Sequence, residues 1–513
     1  MPNSNICPEI VQISLGILLW MLVSPVGLPV LGFLLVWKCA SLLWVWLKYS
    51  DAFLQANNVM DSMMCLTEVG SMLSICLVGE GIIDLDKLRG HFHTTFLANG
   101  KDAEYPVFHQ TFTRILGYSY KTRAPLDLTR HIREEDHAPT VETEKQACLR
   151  ISRDHSKIRR NYPKWEIVLL HFRAEGRSSL IFKASHALGD GYCSRILIDK
   201  LTNNQPPIVK GPVTMKSSRS WWHMVKLLAK APFLMVHTVV SSLTLDLTRH
   251  PFREGKQAAP TTTPSEVMHY AKESMDLARF KQISKSSGCK LSAIFMSVFL
   301  TTFRRWVAET PRFRGKSSTS DQVFLCEEAP LMFILPAPNH PADKGVFCNH
   351  ALLCFIPVPL RENDKLKQLQ TIHQRYQMEQ GSPHGTASLL LKSVFGPLIP
   401  ITLLDFGARM GSHEGFELAV NPFMMSHEKY EVVGVGVKEL FVMQHSEFPI
   451  VPIGVGITPL TAGGQVTICL QGDDEIFQDS AEAELFLKNF VEEAHSLGEE
   501  VEKCAYNINL VCV

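Results

Sequence analysis

The longest apolar stretch of the sequence lies at its N-terminus. Residues 11–37 contain no charged residue, and a helix of that length extends about 40 Å, more than the hydrocarbon core of a bilayer. This stretch is therefore expected to hold the protein in a membrane. Pro25, Gly27 and Pro29 interrupt it, and residues 31–46 are again mostly apolar. A single spanning helix and a re-entrant hairpin with both ends in the cytosol both fit this pattern.

The residues on either side of the stretch favour an anchor over a cleaved signal peptide. Residues 1–9 carry no Lys or Arg, and the apolar run is too long for the core of a signal peptide. Lys38 and Lys48 follow the run, so the positive-inside tendency places the rest of the chain in the cytosol. A soluble protein with a buried N-terminal helix is the alternative.

A second largely apolar stretch covers residues 219–246. It begins with a pair of tryptophans, and Lys226 and Lys230 are spaced one helical turn apart. This pattern is typical of a helix lying on a membrane surface, because Trp prefers the headgroup level and lysines can extend to it. A helix pair packed against the protein fits equally well. Residues 205–218 and 258–265 bracket the stretch as linkers.

Strand-like and helix-like patterns alternate in the middle of the chain. Residues 165–171 (WEIVLLH) and 178–184 (SSLIFKA) are runs typical of strands, and the intervening residues contain Gly176, which suits a hairpin turn. Residues 192–201 then show the apolar spacing of a helix. The pattern predicts two paired strands, a short turn and a helix.

The second half of the chain repeats this mixture. Residues 275–283 and 291–306 predict two helices separated by a break at Ser286–Gly288, the second of them buried. The last helix is expected to be capped by Asp479 and Glu482 and to run through residue 497. Buried strands are expected at residues 351–358, 450–457 and 464–471, and the inward face of the last helix at Leu485, Phe486, Phe490 and Val491.

Composition indicates a large globular protein without a nucleic-acid partner. The chain has 513 residues, 46% hydrophobic and 20% charged, enough to bury the cores of two domains. Lys plus Arg and Asp plus Glu each number 51, so no overall basic field attracts nucleic acid. The 13 cysteines are scattered singly, which fits neither a disulfide framework nor a zinc site and favours a reducing compartment.

The candidate chemistry lies in residues 178–192 (SSLIFKASHALGDGY), where a strand-like run ends in a His-x-x-x-Asp-Gly turn. A neutral imidazole at His186 can take a proton from a hydroxyl. Asp190 can hold the loop through backbone N–H groups or an arginine, and Gly191 permits backbone angles that other residues resist. A strand-end histidine in a polar turn is the alternative interpretation of the bare motif.

The segment beginning at Tyr162 (YPKWEIVLL, then SSLIFKASHALGDG) resembles the wax ester synthase/diacylglycerol acyltransferase family, whose signature is His-His-x-x-x-Asp-Gly preceded by a Pro-x-Trp strand. Residues 275–307 are similar to the family's helix-Gly-helix segment, 345–364 to its Gly-Asn strand, and 417–425 to its Asn-containing motif. A Gly-Val-Gly-Ile strand and a helix follow in the family's order. The resemblance spans roughly residues 60–497.

The resemblance implies an α/β (α+β) protein of the CoA-dependent acyltransferase fold. Two domains related to chloramphenicol acetyltransferase, each with a mixed sheet, would enclose a tunnel between them, and the apolar N-terminus would add a membrane helix or hairpin. We expect a membrane anchor in residues 1–50, an N-terminal acyltransferase domain in 51–204, a linker with a membrane-surface helix in 205–264, and a C-terminal acyltransferase domain in 265–505.

The resemblance also implies the reaction. Acyl-CoA and an alcohol would yield an oxyester and free CoA, with His186 as the general base, Asp190 holding the loop and Gly191 letting the substrate approach. No covalent acyl-enzyme is needed, because holding both substrates together removes much of the entropic barrier. Acyl-CoA would be a substrate, and neither a cofactor nor a metal ion is expected.

Three positions depart from the family pattern. Ser185 replaces the family's first histidine, Ser292 and Ala293 stand where it usually shows Asn-Asp, and Asn421 and Pro422 stand in place of a longer Asn-Val-Pro-Gly-Pro run. Ser185, Ser292 and Asn421 are therefore candidate substrate-binding residues. Asn421 or the Ser292 hydroxyl could donate to the oxyanion, and either could instead be structural.

Two further sets of residues carry less weight. Residues 405–407 (Asp-Phe-Gly) match a motif of other enzyme classes by chance, since no phosphate loop accompanies them. His340, His350 and His445 are too scattered in sequence to indicate a metal site and are expected to be surface or core histidines.

Three functions remain compatible with the sequence. The first is a membrane-bound O-acyltransferase that makes wax esters from long-chain alcohols or triacylglycerol from diacylglycerol, in the endoplasmic reticulum with its domains facing the cytosol. The second is an acyltransferase of the same fold with another acceptor, such as a small alcohol or an amine. The third is a non-catalytic acyl-CoA or lipid-binding protein, which would not need the imidazole of His186.

Overall fold

The computed structural model describes residues 7–50, 53–65, 72–98, 105–136, 143–154, 162–203, 225–226, 229–230, 232–233, 268–313, 327–336, 340–380, 396–403, 417–424, 429–445, 453–474 and 476–511. The helices are α1 Cys7–Tyr49, α2 Val59–Met64, α3 Leu85–Phe92, α4 Leu128–His131, α5 Glu144–Arg153, α6 Gly191–Leu201, α7 Leu277–Ser287, α8 Leu291–Glu309, α9 Lys365–Gln380 and α10 Ser480–Val511. The strands are β1 Phe53–Ala56, β2 Met72–Gly79, β3 Gln110–Ile115, β4 Tyr118–Arg123, β5 Ile132–Asp136, β6 Trp165–Phe172, β7 Arg177–Ser185, β8 Met268–Asp276, β9 Glu328–Pro336, β10 Ala351–Pro359, β11 Glu417–Val420, β12 Phe423–Met424, β13 Glu431–Val432, β14 Val435–His445, β15 Ile453–Ala462 and β16 Gln465–Asp473.

The N-terminal apolar stretch forms one continuous helix, α1, and not a hairpin. Residues Ile13–Tyr49 have the length and composition of a membrane span, with a mean hydropathy of 2.2 in their most apolar 18-residue window. Pro25 lies inside the helix, and because it has no N–H it cannot donate to the carbonyl of Met21. The hydroxyl of Ser24 donates to that carbonyl instead, at 3.4 Å. The helix therefore continues past the proline without a break.

The C-terminal half of α1 packs against a small sheet ordered β1-β4-β3. The Ser41 hydroxyl donates to the carbonyl of Ile115 at 2.9 Å and accepts a hydrogen bond from the Tyr120 hydroxyl at 2.7 Å. The Lys38 ammonium lies 4.2 Å from the ring centre of Tyr118 and 4.6 Å from that of Tyr120. These polar contacts fix one face of α1 on the protein.

The first large sheet has the order β13-β14-β2-β7-β6-β5. Strands β6 and β7 form the predicted hairpin, in which Gly176 adopts a left-handed conformation with φ of 63°. Strand β14 comes from the second half of the chain and pairs antiparallel with β2. The first sheet is thus completed by β13 and β14, which lie more than half the sequence away from β2.

The second large sheet has the order β10-β9-β11-β15-β16-β8, with β12 paired to β15. Helices α7, α8, α9 and α10 contribute buried apolar side chains to its core, which include Phe295, Phe299 and Phe303 of α8. The predicted mixed α/β architecture with two sheets is confirmed. Strand β8 was not anticipated, because the sequence pattern assigned Met275 and Asp276 to a helix that begins only at Leu277.

Most of the predicted inward face of α10 is confirmed, with one exception. Phe486 and Phe490 are fully buried, and Val491 packs against the core. The prediction that Leu485 faces inward is wrong, because this residue is 50% exposed. In a helix its position is rotated about 100° from that of Phe486, which turns it away from the sheet.

Several predicted segments lie outside the described residues. They are the two linkers, most of residues 219–246 and the Asp-Phe-Gly at 405–407. Residues 229 and 230 of the stretch 219–246 are described. The backbone of Ala229 and Lys230 lies so close to Gly16 of α1 that a Cβ at residue 16 would collide with the Ala229 carbonyl oxygen. The cysteines whose side chains the structure describes are all free thiols.

Candidate active site

The predicted turn connects β7 to α6. His186 follows directly on the strand and starts a short 3-10 turn, His186–Leu188. Asp190 then caps α6, its Oδ1 accepting from the backbone N–H groups of Tyr192 at 3.0 Å and Cys193 at 3.2 Å. Only a glycine fits at position 189, because a Cβ there would lie 2.6 Å from the Cβ of Cys193. The local sequence thus presents His186 at the end of a buried strand.

Gly191 does not have the special backbone conformation that was predicted for it. It is the first residue of α6 and has no positive φ. Because Asp190 supplies the N-cap, the chain can enter the helix at residue 191 with ordinary helical angles. Close approach of a substrate stays the only predicted role for this glycine.

Asn349 fixes the orientation of the His186 ring. Its amide nitrogen donates to Oδ1 of Asp61 at 2.9 Å and to the carbonyl of His186 at 2.7 Å. Its Oδ1 therefore faces Nδ1 of His186, at 2.9 Å. Since this oxygen only accepts, the ring proton must lie on Nδ1. Nε2 then carries a free lone pair, and it has no hydrogen-bond partner among the described residues.

A buried ion pair lies behind Asn349. Asp61, from α2, accepts from the backbone N–H of Asn349 at 2.8 Å, and its Oδ2 lies 2.9 Å from Nζ of Lys121. The Lys121 ammonium also donates to the carbonyl of Phe347 at 3.1 Å. Burial lowers the pKa of Lys121, but the Asp61 carboxylate raises it more, so the pKa lies above its ordinary value. The ion pair holds the segment that carries Asn349 against α2.

Asp190 links the turn that carries His186 to the second half of the chain. Its Oδ2 accepts from Nε2 of His340 at 3.0 Å and from the backbone N–H of His350 at 2.9 Å. Nδ1 of His340 accepts from the N–H of Ala342 at 3.1 Å, which places the His340 proton on Nε2. Asp190 therefore has the loop-holding position that was expected, with a histidine and backbone groups in place of an arginine.

The same contacts set the charge of Asp190. Burial raises the pKa of its carboxyl, but hydrogen bonds from His340 and from the backbone N–H groups of His350 and Cys193 outweigh burial, so the pKa falls below its ordinary value. Asp190 is therefore ionised at neutral pH. It holds the turn as a carboxylate and has no proton to give.

The lowered pKa of Asp190 predicts a pH-dependent stability. The carboxylate contributes stability above the unfolded-state pKa, about 3.9, and that contribution disappears as the pH falls through the lower folded-state pKa. We expect Asp190→Asn to lose less thermal stability than wild type when the pH is lowered from about 5 to about 3. Parallel thermal melts measure this, and equal acid slopes for the two proteins would contradict it.

Asp190, Cys193 and His340 lie close enough together to hold a cation. Each ligand atom already has a hydrogen-bond partner, however, and the Cys193 thiol donates to the carbonyl of Cys348 at 3.4 Å. Burial raises the pKa of that thiol well above its ordinary value, whereas a metal ligand must be a thiolate. The cluster is explained by its own hydrogen bonds.

The three other candidate residues occupy different places. Ser185 is buried, and its hydroxyl oxygen accepts from the N–H of Ala187 at 3.3 Å, which shapes the turn. Ser292 lies in the first turn of α8 and hydrogen-bonds with the hydroxyl of Tyr376 on α9. No hydrogen bond within the described residues connects Ser292 to His186 or Asp190.

Asn421 lies at the end of β11 in the second sheet. Its backbone N–H donates to the carbonyl of Ile457 at 3.0 Å. Its side-chain Oδ1 is buried and has no hydrogen-bond partner among the described residues. A ligand that donates a hydrogen bond could satisfy it, so its predicted role in substrate binding stays a prediction.

Four residues of the site were not identified from the sequence: Asp61, Lys121, His340 and Asn349. Asn349 lies in the segment resembling the family's Gly-Asn strand, so that resemblance contained a signal for it. The sequence predicts a surface or core histidine at His340, and its side chain is buried. No sequence pattern around Asp61 or Lys121 indicates that these residues belong to the site.

Comparison by sequence finds no matching family model and no matching curated relative. Solved structures of the same fold do match. A wax ester synthase/diacylglycerol acyltransferase from Marinobacter aquaeolei VT8 is 16% identical, covers 88% of this chain and 99% of its own, and has a TM-score of 0.51. The first condensation domain of the calcium-dependent antibiotic synthetase is 11% identical, covers 87% and 97%, and has a TM-score of 0.55.

Polyketide synthase associated protein 5 from Mycobacterium tuberculosis is 12% identical, with coverage of 88% and 99% and a TM-score of 0.50. These proteins share a two-domain fold of the CoA-dependent acyltransferase and condensation type. The fold predicted from the sequence motifs is therefore confirmed. At these identities the comparison concerns the fold alone.

Proposed function

We propose that the protein is a membrane-bound O-acyltransferase that moves a fatty acyl group from acyl-CoA to a lipophilic alcohol. A long-chain alcohol would give a wax ester and diacylglycerol would give triacylglycerol. The observation that carries this proposal is the His186 ring, whose Nδ1 is held by Asn349 while Nε2 has no hydrogen-bond partner among the described residues. An imidazole nitrogen with an available lone pair is what a general base requires.

In the proposed reaction, Nε2 of His186 takes the proton of the acceptor hydroxyl as its oxygen attacks the thioester carbonyl. The new C–O bond forms a tetrahedral intermediate, which collapses by breaking the C–S bond. The imidazolium then returns the proton to the CoA thiolate, so the ring is neutral again. Asn349 stabilises the imidazolium by accepting from Nδ1, with the Asp61 carboxylate directly behind it.

Two observations support a water-insoluble acceptor. Helix α1 has the composition of a membrane span, and it packs directly on the domain that carries His186. One solved structure of this fold is named as a wax ester synthase/diacylglycerol acyltransferase. An enzyme held at the bilayer can draw both alcohols from it. We place it in the endoplasmic reticulum, with its domains facing the cytosol.

The acceptor class can be tested on the purified full-length protein in detergent. Palmitoyl-CoA is supplied with hexadecanol, with diacylglycerol, with a short alcohol or with an alkyl amine, and the products are identified by mass spectrometry. The proposal expects the lipophilic alcohols to be esterified fastest. Preference for the amine or the short alcohol would instead identify an acyltransferase with another acceptor. Binding of palmitoyl-CoA without any product would leave the non-catalytic alternative.

The orienting role of Asn349 gives a separate prediction. In Asn349→Leu, the His186 ring loses its Nδ1 partner and can rotate, so kcat should fall by about tenfold to a hundredfold. The Kd for acyl-CoA should stay unchanged. Asn363→Leu is the matched control, because that side chain lies on the surface beside Arg304. If kcat of Asn349→Leu equals that of the control, the amide does not orient the base.

A further inference from the structure

The hairpin that joins β3 to β4 has an unusual residue at its tip. Leu116 and Gly117 both have positive φ, 48° and 80°, the geometry of a type I′ turn. Asn is preferred at the first position, because a bulky side chain there strains the backbone. The side chain of Leu116 is nevertheless 49% exposed. An exposed leucine in a strained conformation indicates an apolar contact outside the protein.

Two other two-residue hairpins in the described part of the chain have positive φ at both turn positions. Val433–Gly434 joins β13 to β14 and Gly463–Gly464 joins β15 to β16. Val433 packs against the core of the first sheet, so its apolar side chain is explained within the protein. Leu116 differs because half of its side chain faces outward.

The tip of the hairpin lies between α1 and residues 396–403. On one side, Nε1 of Trp37 donates to the carbonyl of Leu116 at 2.9 Å. On the other, the N–H of Ile401 donates to the carbonyl of Gly117 at 2.6 Å. Trp37 is 41% exposed and Leu403 53% exposed. We call Trp37 of α1, Leu116 at the tip and Leu403 of the adjoining segment the apolar edge, because all three are exposed apolar residues of elements that meet at this hairpin.

The apolar edge continues inward to the catalytic turn. Ile401 is buried and packs with Met64, Cys65 and Ala187, and the partly buried Met60 and Phe112 pack against the same cluster. Ala187 is the residue next to His186. Ile401, two residues from the exposed Leu403, thus packs in the same apolar cluster as the neighbour of the proposed base.

We propose that the apolar edge lies in the membrane surface and is the entrance through which the lipophilic acceptor passes from the bilayer to His186. The inference rests on the proposed function. The edge adjoins α1, whose exposed side chains beside it include Phe33 and Val36. Trp37 also fits, because tryptophan prefers the headgroup level of a bilayer. Lipid contact accounts for a leucine at a turn position that favours asparagine.

The test uses the full-length protein in phosphatidylcholine vesicles. Leu116→Asn suits the turn, so its thermal stability should equal or exceed that of wild type. We expect its kcat/KM for vesicle-borne hexadecanol or diacylglycerol to fall by about tenfold. Its activity with a short water-soluble alcohol should be unchanged. Leu403→Asn should show the same selective loss. Val433→Asn, the same change in the other apolar type I′ turn, should show none.

A second readout does not depend on activity. A photoactivatable phosphatidylcholine in the vesicles should label the peptide that contains Leu116 in wild type and label it less in Leu116→Asn. Unchanged use of vesicle-borne acceptor by both variants, or labelling of α1 without the hairpin, would overturn the entrance. Absence of turnover by wild type with every acceptor, soluble or vesicle-borne, would overturn the proposed function itself.

Discussion

His186→Ala is expected to lower the rate of acyl transfer by about a hundredfold to ten-thousandfold. The variant loses the ring nitrogen that is proposed to take the acceptor proton, whereas the Asp190 carboxylate is engaged by His340 and by backbone N–H groups. The ring is half-buried, and its Nδ1 contacts only Asn349 by a side-chain hydrogen bond, so the loss of stability should be small. The measurement is kcat with palmitoyl-CoA and the preferred alcohol, together with a thermal melt.

His91→Ala is the matched control for this substitution. His91 is also half-buried, and its ring Nε2 donates a hydrogen bond to the carbonyl of Leu201, at 2.9 Å. Its replacement should leave kcat unchanged. The Kd of palmitoyl-CoA should be the same for wild type and both variants, because the imidazole acts on the acceptor. If the His186→Ala protein folds, binds acyl-CoA and keeps its full rate, His186 is not the general base.

Asp61→Leu is expected to have the largest effect on stability. Asp61 and Lys121 are 2% and 1% exposed, and removing one partner of a buried ion pair typically costs about 3–5 kcal/mol, because the remaining charge is left without compensation. The substitution also removes the acceptor that two donors of Asn349 share. Chemical denaturation of the single variant measures the loss in the free energy of unfolding.

The double variant separates charge from orientation. Asp61→Leu with Lys121→Met removes both charges, so most of the lost stability should return. The rate should stay low, because Asn349 still lacks its partner and no longer holds the His186 ring. Recovery of full activity together with stability would show that Asp61 acts on folding alone. If the double variant stays as unstable as Asp61→Leu, the unpaired charge of Lys121 is not the cause of the lost stability.

The local part of the site could be predicted from the sequence. Strand β7, the turn at His186 and helix α6 depend on neighbouring residues: an apolar run, an aspartate that accepts from backbone N–H groups, and helical apolar spacing after it. The order of the family motifs was sufficient to predict the fold. These signals act over short distances along the chain, which is why periodicity and turn chemistry detect them.

The rest of the site depends on contacts between distant residues. Asp61 and Asn349 are 288 positions apart, and Asp190 and His340 are 150 apart. No local pattern indicates which buried polar residues will meet across two domains. The same reason applies to β14, which the sequence analysis does not predict and which pairs with the distant β2. Ser292 is predicted to bind substrate from its position in a motif, and its interaction with Tyr376 leaves that a prediction.

In the proposed reaction the acyl group passes directly from CoA to the acceptor alcohol. To test this, CoA and ester are measured in the same reaction, with purified protein, palmitoyl-CoA and the preferred lipophilic alcohol added or withheld. Direct transfer predicts one ester for each CoA released and no CoA release beyond background without the alcohol. CoA released at the full rate without acceptor would contradict direct transfer, and bound palmitoyl-CoA that yields neither CoA nor ester with any alcohol would contradict the enzyme.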